Sequence, residues 1–277
     1  MFSARVGMAY GPGVAELFAA DPQLADYIEI PFEQLRHAPA LLALQHTAPL
    51  VLHCASLSVA GFVSPSAATV AAVSELARVV DTPWIGEHLA FVAADPLPGE
   101  PDHPGAAATA LTYTVCPQLS EETVERVAAN LAALRSQLPV PLILENSPQY
   151  FAVPGSTMGM SDFISAVAAR CDVGLLLDLS HFLITSMNTD TDPLRELERL
   201  PLERVVEVHV SGLKRQSGRA WDDHAVPASP RVFELLERVL KRARPRAVTF
   251  EYNWSPHFPM KVLREHIEKV RTLLAAA

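Results

Sequence analysis

The chain has 277 residues, 49% of them hydrophobic, with a formal net charge of -9 and three cysteines. That length suits one large domain of the α/β-barrel kind, which uses about 250 residues. The acidic balance disfavours a duplex nucleic-acid binder, which shows a basic footprint. Cys54, Cys116 and Cys171 are too few and too scattered for a disulfide framework or a thiolate zinc site.

The first residues, Met1-Phe2-Ser3-Ala4-Arg5, lack the apolar stretch of a signal peptide. No run approaches the ~18 apolar residues of a membrane span, so a soluble, cytoplasmic protein with no membrane partner is expected. Apolar runs predict strands over 4–9, 27–30, 49–52, 83–85, 141–144, 174–177, 205–208 and 247–250. Helices are predicted over 64–80, 120–137, 161–170, 230–243 and 258–275. Ser120-Glu121-Glu122 places acids in a first turn, and Pro230 is a good first helical residue. Residues 93–110, rich in Pro, Gly and Ala, read as a long loop after the fourth strand. Strand–helix alternation argues for parallel strands. The expected fold is a (β/α)8 TIM barrel, with residues 1–277 forming a single domain. The alternative, an open doubly wound sheet, lacks a G-x-G-x-x-G after the first strand.

Polar residues recur where the strands end. His53 follows the third, Glu87-His88 the fourth, Glu145-Asn146 the fifth, Asp178 with His181 the sixth, His209 the seventh and Glu251 the eighth. Asp222-Asp223-His224 lies between the last two. A barrel brings these ends to one mouth, where active sites form. A lone histidine after a strand is an ordinary hydrogen-bonded residue; six successive strand ends aiming imidazoles and carboxylates at one place are not. Carboxylates gathered there repel one another unless cations intervene. Nitrogen and oxygen donors without thiolates suit iron, manganese or zinc, and the number of donors implies two or three ions. Glu87 is the weakest member, expected to orient His88 rather than to ligate. Asp222 and Asp223 compete for one role. His37, His46, His103, His257 and His266 fall outside the pattern. Cys54, pointing away from His53, reads as a small buried hydrophobe.

The motifs are His53-Cys54-Ala55-Ser56-Leu57-Ser58, Gly86-Glu87-His88-Leu89-Ala90-Phe91, Leu144-Glu145-Asn146-Ser147 with Tyr150, Leu176-Leu177-Asp178-Leu179-Ser180-His181, Glu207-Val208-His209-Val210-Ser211-Gly212, Asp222-Asp223-His224 and Phe250-Glu251-Tyr252. In this order they resemble the multinuclear non-haem iron-dependent oxidative enzymes of peptide natural-product biosynthesis, the methanobactin-type iron enzymes. That family is itself similar to xylose isomerase-like barrels and to the endonuclease IV type of repair enzyme. The resemblance implies one ion on His53, His88 and Glu145. Glu145 bridges to a second, held also by Asp178, His209 and Glu251. A third is held by His181, Asp222 and His224, the D-x-H spacing favouring Asp222. Glu145, Asp178 and His209 are the residues the resemblance makes central to catalysis. Two features depart from the family: many members carry Asn at the position of His181, and Gly7-Met8-Ala9-Tyr10-Gly11 replaces an arginine-containing segment.

What the resemblance implies for function is oxidation of a cysteine in a ribosomally made precursor peptide. Two to three irons, as Fe2+ and Fe3+, are the cofactor, dioxygen is the co-substrate, and a small partner protein captures the peptide leader. The alternative is a metal-dependent hydrolase or phosphodiesterase, or a sugar isomerase, built on the same ligands. The acidic charge argues against nucleic acid as a partner.

Overall fold

A computed structural model describes residues 4–94, 109–252 and 258–277. The chain runs through β1 (Arg5–Ala9), α1 (Val14–Ala20), β2 (Tyr27–Pro31), α2 (Phe32–His37), a short 3-10 helix (Pro39–His46), β3 (Leu50–Cys54) and α3 (Ala67–Val79). Next come β4 (Ile85–His88), β5 (Phe91–Ala94), β6 (Thr109–Val115), α4 (Glu121–Arg135), β7 (Leu142–Glu145) and α5 (Met160–Cys171). The last third holds β8 (Gly174–Asp178), α6 (Leu179–Asn188), α7 (Pro193–Glu198), β9 (Val205–Val210), β10 (Leu213–Gln216), β11 (Arg219–Asp222), α8 (Pro230–Leu240), β12 (Ala247–Phe250) and α9 (Met260–Ala276).

Strands β1, β12, β9, β8, β7, β4, β3 and β2 pair in that order and close into a barrel. All eight pairings are parallel. Two antiparallel hairpins, β5–β6 and β10–β11, rise from the loops after β4 and β9. Part of the expected 93–110 loop is therefore hairpin strand: β5 and β6 pair through Ala94 and Thr109, and residues 95–108 lie outside the described residues. The strand expected at 83–85 sits later, at Ile85–His88, because its inward-facing positions are Gly and His rather than apolar residues.

Side chains on a strand alternate between faces. Tyr27, Val51, Ile143, Leu176 and Ala247 join Trp84 in a small apolar cluster separate from the main core. Two positions further along the same inner faces come Glu29, His53, Glu145, Asp178 and Thr249. The barrel interior thus changes from apolar to ionisable toward the C-terminal ends of its strands. The other faces pack against the helices in the main core. Gly7 makes room for this filling, since a Cβ there would meet the Tyr27 ring at 2.2 Å. Among the described residues, no helix is long and apolar enough to cross a membrane.

Candidate metal centre

The pairing register sets the first neighbours. His88 lies beside Glu145, Asp178 beside His209, and His209 beside Thr249. All nine candidate residues converge on the mouth as three adjoining groups: His53, His88 and Glu145; Glu145, Asp178, His209 and Glu251; His181, Asp222 and His224. Glu145 belongs to two of them. Its Oε2 lies 2.9 Å from His53 Nε2 and 3.3 Å from His88 Nε2. Its Oε1 lies 3.2 Å from His181 Nδ1 and 3.7 Å from His209 Nδ1. Glu251 Oε2 stands 3.1 Å from His209 Nδ1 and 3.8 Å from His224 Nδ1.

Local structure aims these groups. Asp178 ends β8 and caps α6, accepting from His181 N at 2.5 Å. This leaves its Oδ2 free and puts His181 in the first helical turn. Asn146 clamps the same point, accepting from Asp178 N and donating to its carbonyl, both at 2.9 Å. The β10–β11 hairpin delivers Asp222, whose Oδ2 meets His224 Nε2 at 2.7 Å and His181 Nε2 at 3.2 Å. Asp223 points elsewhere, 3.8 Å from Lys214 Nζ. The His53 and His88 rings stack at 4.7 Å, and Gly86 allows it: a Cβ there would lie 3.2 Å from His53 Nδ1.

The histidines are held by their far nitrogens. His53 Nδ1 faces the Gly86 carbonyl at 3.5 Å, His88 Nδ1 that of Cys54 at 3.4 Å, and His181 Nδ1 that of Asn146 at 3.0 Å. These partners assign the proton to Nδ1 and turn the Nε2 lone pairs inward. The buried atoms without hydrogen-bond partners among the described residues include His53 Nε2, both Glu145 oxygens, Asp178 Oδ2, His209 Nδ1, Asp222 Oδ1 and Glu251 Oε2. Buried polar atoms are ordinarily paired. Here lone pair faces lone pair at hydrogen-bonding distance, which is repulsive unless a proton or a cation stands between. The donor set fits divalent ions.

The electrostatics carry the same tension. Burial pushes the Asp178 carboxyl up to about 7. Burial also works against charge on Glu145, but His88, His181 and His209 outweigh it and bring it down to about 2. Burial opposes a charged His224, yet Glu251 and Asp222 raise it to about 9. His181 and His209 are likewise held well above the ordinary histidine range by facing carboxylates, against burial.

One expectation changes. Glu87 does not orient His88; successive side chains on β4 face opposite ways, and the Cys54 carbonyl takes that part. Glu87 instead accepts from Leu57 N at 3.1 Å, behind the site. Cys54 is buried, as expected of a small hydrophobe, but its thiol also lies 3.9 Å from Glu33 Oε1. Of the excluded histidines, His37 and His46 are exposed, and His266 packs against Phe233 and pairs with the Tyr252 hydroxyl. His103 and His257 lie outside the described residues.

Sequence reasoning missed a buried layer beneath His209. Glu29 Oε2 meets His209 Nε2 at 3.1 Å. Glu207 receives the Tyr27 hydroxyl at 3.0 Å and Trp84 Nε1 at 2.7 Å, and Thr249 Oγ1 reaches both carboxylates. A signal existed: Glu29 and Glu207 are charges inside otherwise apolar strand runs.

Above the groups lies a cavity of about 900 Å3. Its floor includes His88, His181, Asp222, His224 and Glu251. Its walls carry Tyr113, Tyr150, Phe151 and Trp221, with Tyr150 and Trp221 stacked at 4.8 Å.

The profile of the family described as RiPP precursor modification enzyme MbnB/TglH/ChrH matches residues 5–275. The chain belongs to this family. Among curated relatives, a UPF0276 protein of Streptomyces avermitilis is 28% identical over 94% of this chain, which spans about half (53%) of that protein. A UPF0276 protein of Anaeromyxobacter sp. is 27% identical over 88% of this chain and 83% of its own length. Among solved structures, a xylose isomerase domain protein from Planctomyces limnophilus superposes with TM-score 0.60 at 17% identity, covering 99% of this chain and 100% of that one. Endonuclease IV from Thermus thermophilus gives 0.57 at 20% identity, covering 99% and 100%. At such identities these likenesses show the fold, a xylose isomerase-like TIM barrel. Membership of the MbnB/TglH/ChrH family makes the chain an enzyme of RiPP precursor modification.

Proposed function

We propose that this chain is a multinuclear non-haem iron enzyme that uses dioxygen to oxidise a cysteine in a ribosomally made precursor peptide. The observation that carries the reading is the set of unpartnered nitrogen and oxygen lone pairs facing one another at the barrel mouth. His53, His88 and Glu145 would hold one ion. Glu145, Asp178, His209 and Glu251 would hold a second, and His181, Asp222 and His224 a third. Bound iron supplies the redox capacity for a dioxygen-dependent oxidation.

The chain's own residues do the rest. Glu145, Asp178, Asp222 and Glu251 are four carboxylates. Three divalent ions exceed that negative charge, so a further anionic donor is favoured at the mouth, and a cysteine thiolate is one. The aromatic walls fit the side chains of a bound peptide and shield the site from water. Tyr113 and Phe151 are largely exposed, which suits a surface that a peptide, or a partner protein presenting it by its leader, covers.

The test is co-expression with small open reading frames encoded beside this chain, followed by peptide mass analysis. A mass change located on cysteine, absent without oxygen or iron, is the expected result. Unchanged peptides, together with metal-dependent phosphodiester cleavage under anaerobic conditions, would replace this reading with the hydrolytic one.

A further inference from the structure

Three of the site histidines rest their far nitrogen on a backbone carbonyl: His53 on Gly86, His88 on Cys54, His181 on Asn146. His209 is different. Its far nitrogen, Nε2, meets a carboxylate, Glu29 Oε2, at 3.1 Å. Its near nitrogen, Nδ1, faces Glu251 Oε2 at 3.1 Å and Glu145 Oε1 at 3.7 Å, and has no hydrogen-bond partner. Both residues are buried, His209 fully and Glu29 to 2% exposure.

Glu29, Glu207 and His209 are close enough to hold an ion of their own. Their partners argue otherwise. The oxygens of Glu207 receive the Tyr27 hydroxyl and Trp84 Nε1, and Glu29 Oε2 takes His209 and the Thr249 hydroxyl. No oxygen of either carboxylate is among the unpartnered buried atoms of the described residues. Donors reach both carboxylates of this layer, whereas the layer above holds the unpartnered atoms His53 Nε2, both Glu145 oxygens, Asp178 Oδ2, His209 Nδ1 and Glu251 Oε2.

We propose that Glu29 is a positioning residue for His209. It takes the Nε2 proton, fixes the tautomer that leaves the Nδ1 lone pair free, and strengthens that nitrogen as a donor to the ion shared with Glu145, Asp178 and Glu251. A carboxylate accepts a hydrogen bond more strongly than an amide carbonyl and makes the attached imidazole more basic toward metal. His209 is therefore the strongest imidazole donor of the site, and the middle group is the one that fills first. Thr249, within 3.1 Å of Glu29 Oε2 and 2.6 Å of Glu207 Oε1, ties the carboxylate to the rigid layer below. This inference rests on the metal reading above, though not on iron, dioxygen or the peptide.

The experiment titrates metal-free wild type, Glu29→Gln and Glu29→Ala with Co2+ alone, following chelator competition and the visible Co2+ spectrum, with circular dichroism as the check on folding. Glu29→Gln keeps the shape and a carbonyl acceptor but loses the charge. The first Co2+ should bind it about tenfold more weakly, with a shifted spectrum, and Glu29→Ala more weakly still. The later ions should keep their affinities. A merely structural role would lower the melting temperature and leave affinity and spectrum of the folded protein alone. Should Glu29→Ala fail to fold, Glu29→Gln decides. Wild-type affinity and spectrum in Glu29→Gln overturn the role of Glu29. A wild-type chain that takes up no Co2+ overturns the metal reading and this role with it.

Discussion

Glu145 Oε2 lies 2.9 Å from His53 Nε2, while His53 turns its other nitrogen to the Gly86 carbonyl. The contact has the spacing of a hydrogen bond and no proton to make one, and the second Glu145 oxygen serves the neighbouring group. Loss of this carboxylate therefore disturbs two groups at once. Glu145→Gln should lose bound metal from both and abolish turnover. His224→Ala should lose metal from one group and retain the others. Elemental analysis of the two purified variants checks this; equal, mild losses would count against a bridging role.

Asp222 and Asp223 separate cleanly. Asp222 Oδ2 meets two imidazoles, whereas Asp223 sits near Lys214 at a half-exposed position. Asp223→Asn should keep wild-type metal content and activity within experimental scatter, since exposed ion pairs contribute about 0–1 kcal/mol. Asp222→Asn should lose the metal shared with His181 and His224. The reverse pattern would reassign the ligand.

The barrel was legible because its strands are short apolar runs, and the site because the third to the eighth of those runs end in His, Asp or Glu. The apolar criterion stopped too early. His53, Glu145 and Asp178 lie inside their strands, since an inward-facing polar residue at the barrel mouth continues the ladder as well as an apolar one. Helix α6 was invisible because Leu179 to Ser186 are all buried, leaving no polar face to give a helical period. Helices α1, α2 and α7 have 7, 6 and 6 residues, too short to stand without tertiary packing. Glu29 escaped notice because a single acid in an apolar strand carries no label for its partner, and His209 is 180 residues away.

Gly86 has a steric duty. An added methyl would approach Leu176 Cδ1 at 3.0 Å and His53 Nδ1 at 3.2 Å, so the Leu176 side chain and the His53 ring, which stacks on His88, must each give way slightly. Gly86→Ala should fold, lose about 1–3 kcal/mol of stability, and bind metal less well at the His53 group. Thermal unfolding with and without added Co2+ measures both; unchanged values would remove the constraint.

The metal-free protein should lose stability as pH rises from about 6 to about 9. His224 is held up to about 9 against an ordinary 6.5. Its native proton stabilises fully below 6.5, and that contribution is lost as pH climbs through 9. Asp178, raised by burial from 3.8 to about 7, acts in the same direction at lower pH. His181 and His209, also raised, add to it, while His53, lowered by burial, opposes. Cations replacing these protons should flatten the profile. Melting temperatures across this range, with and without added Co2+, test the sign; a metal-free protein that gains stability toward pH 9 contradicts it.

Anaerobic purification followed by ferrous-iron loading, elemental analysis and Mössbauer spectroscopy tests the central claim most directly. The account predicts two to three irons per chain bound by nitrogen and oxygen donors, with a changed signal when the cysteine-containing precursor peptide is added. About one tightly held zinc per chain, with no iron uptake and no response to peptide, would contradict it.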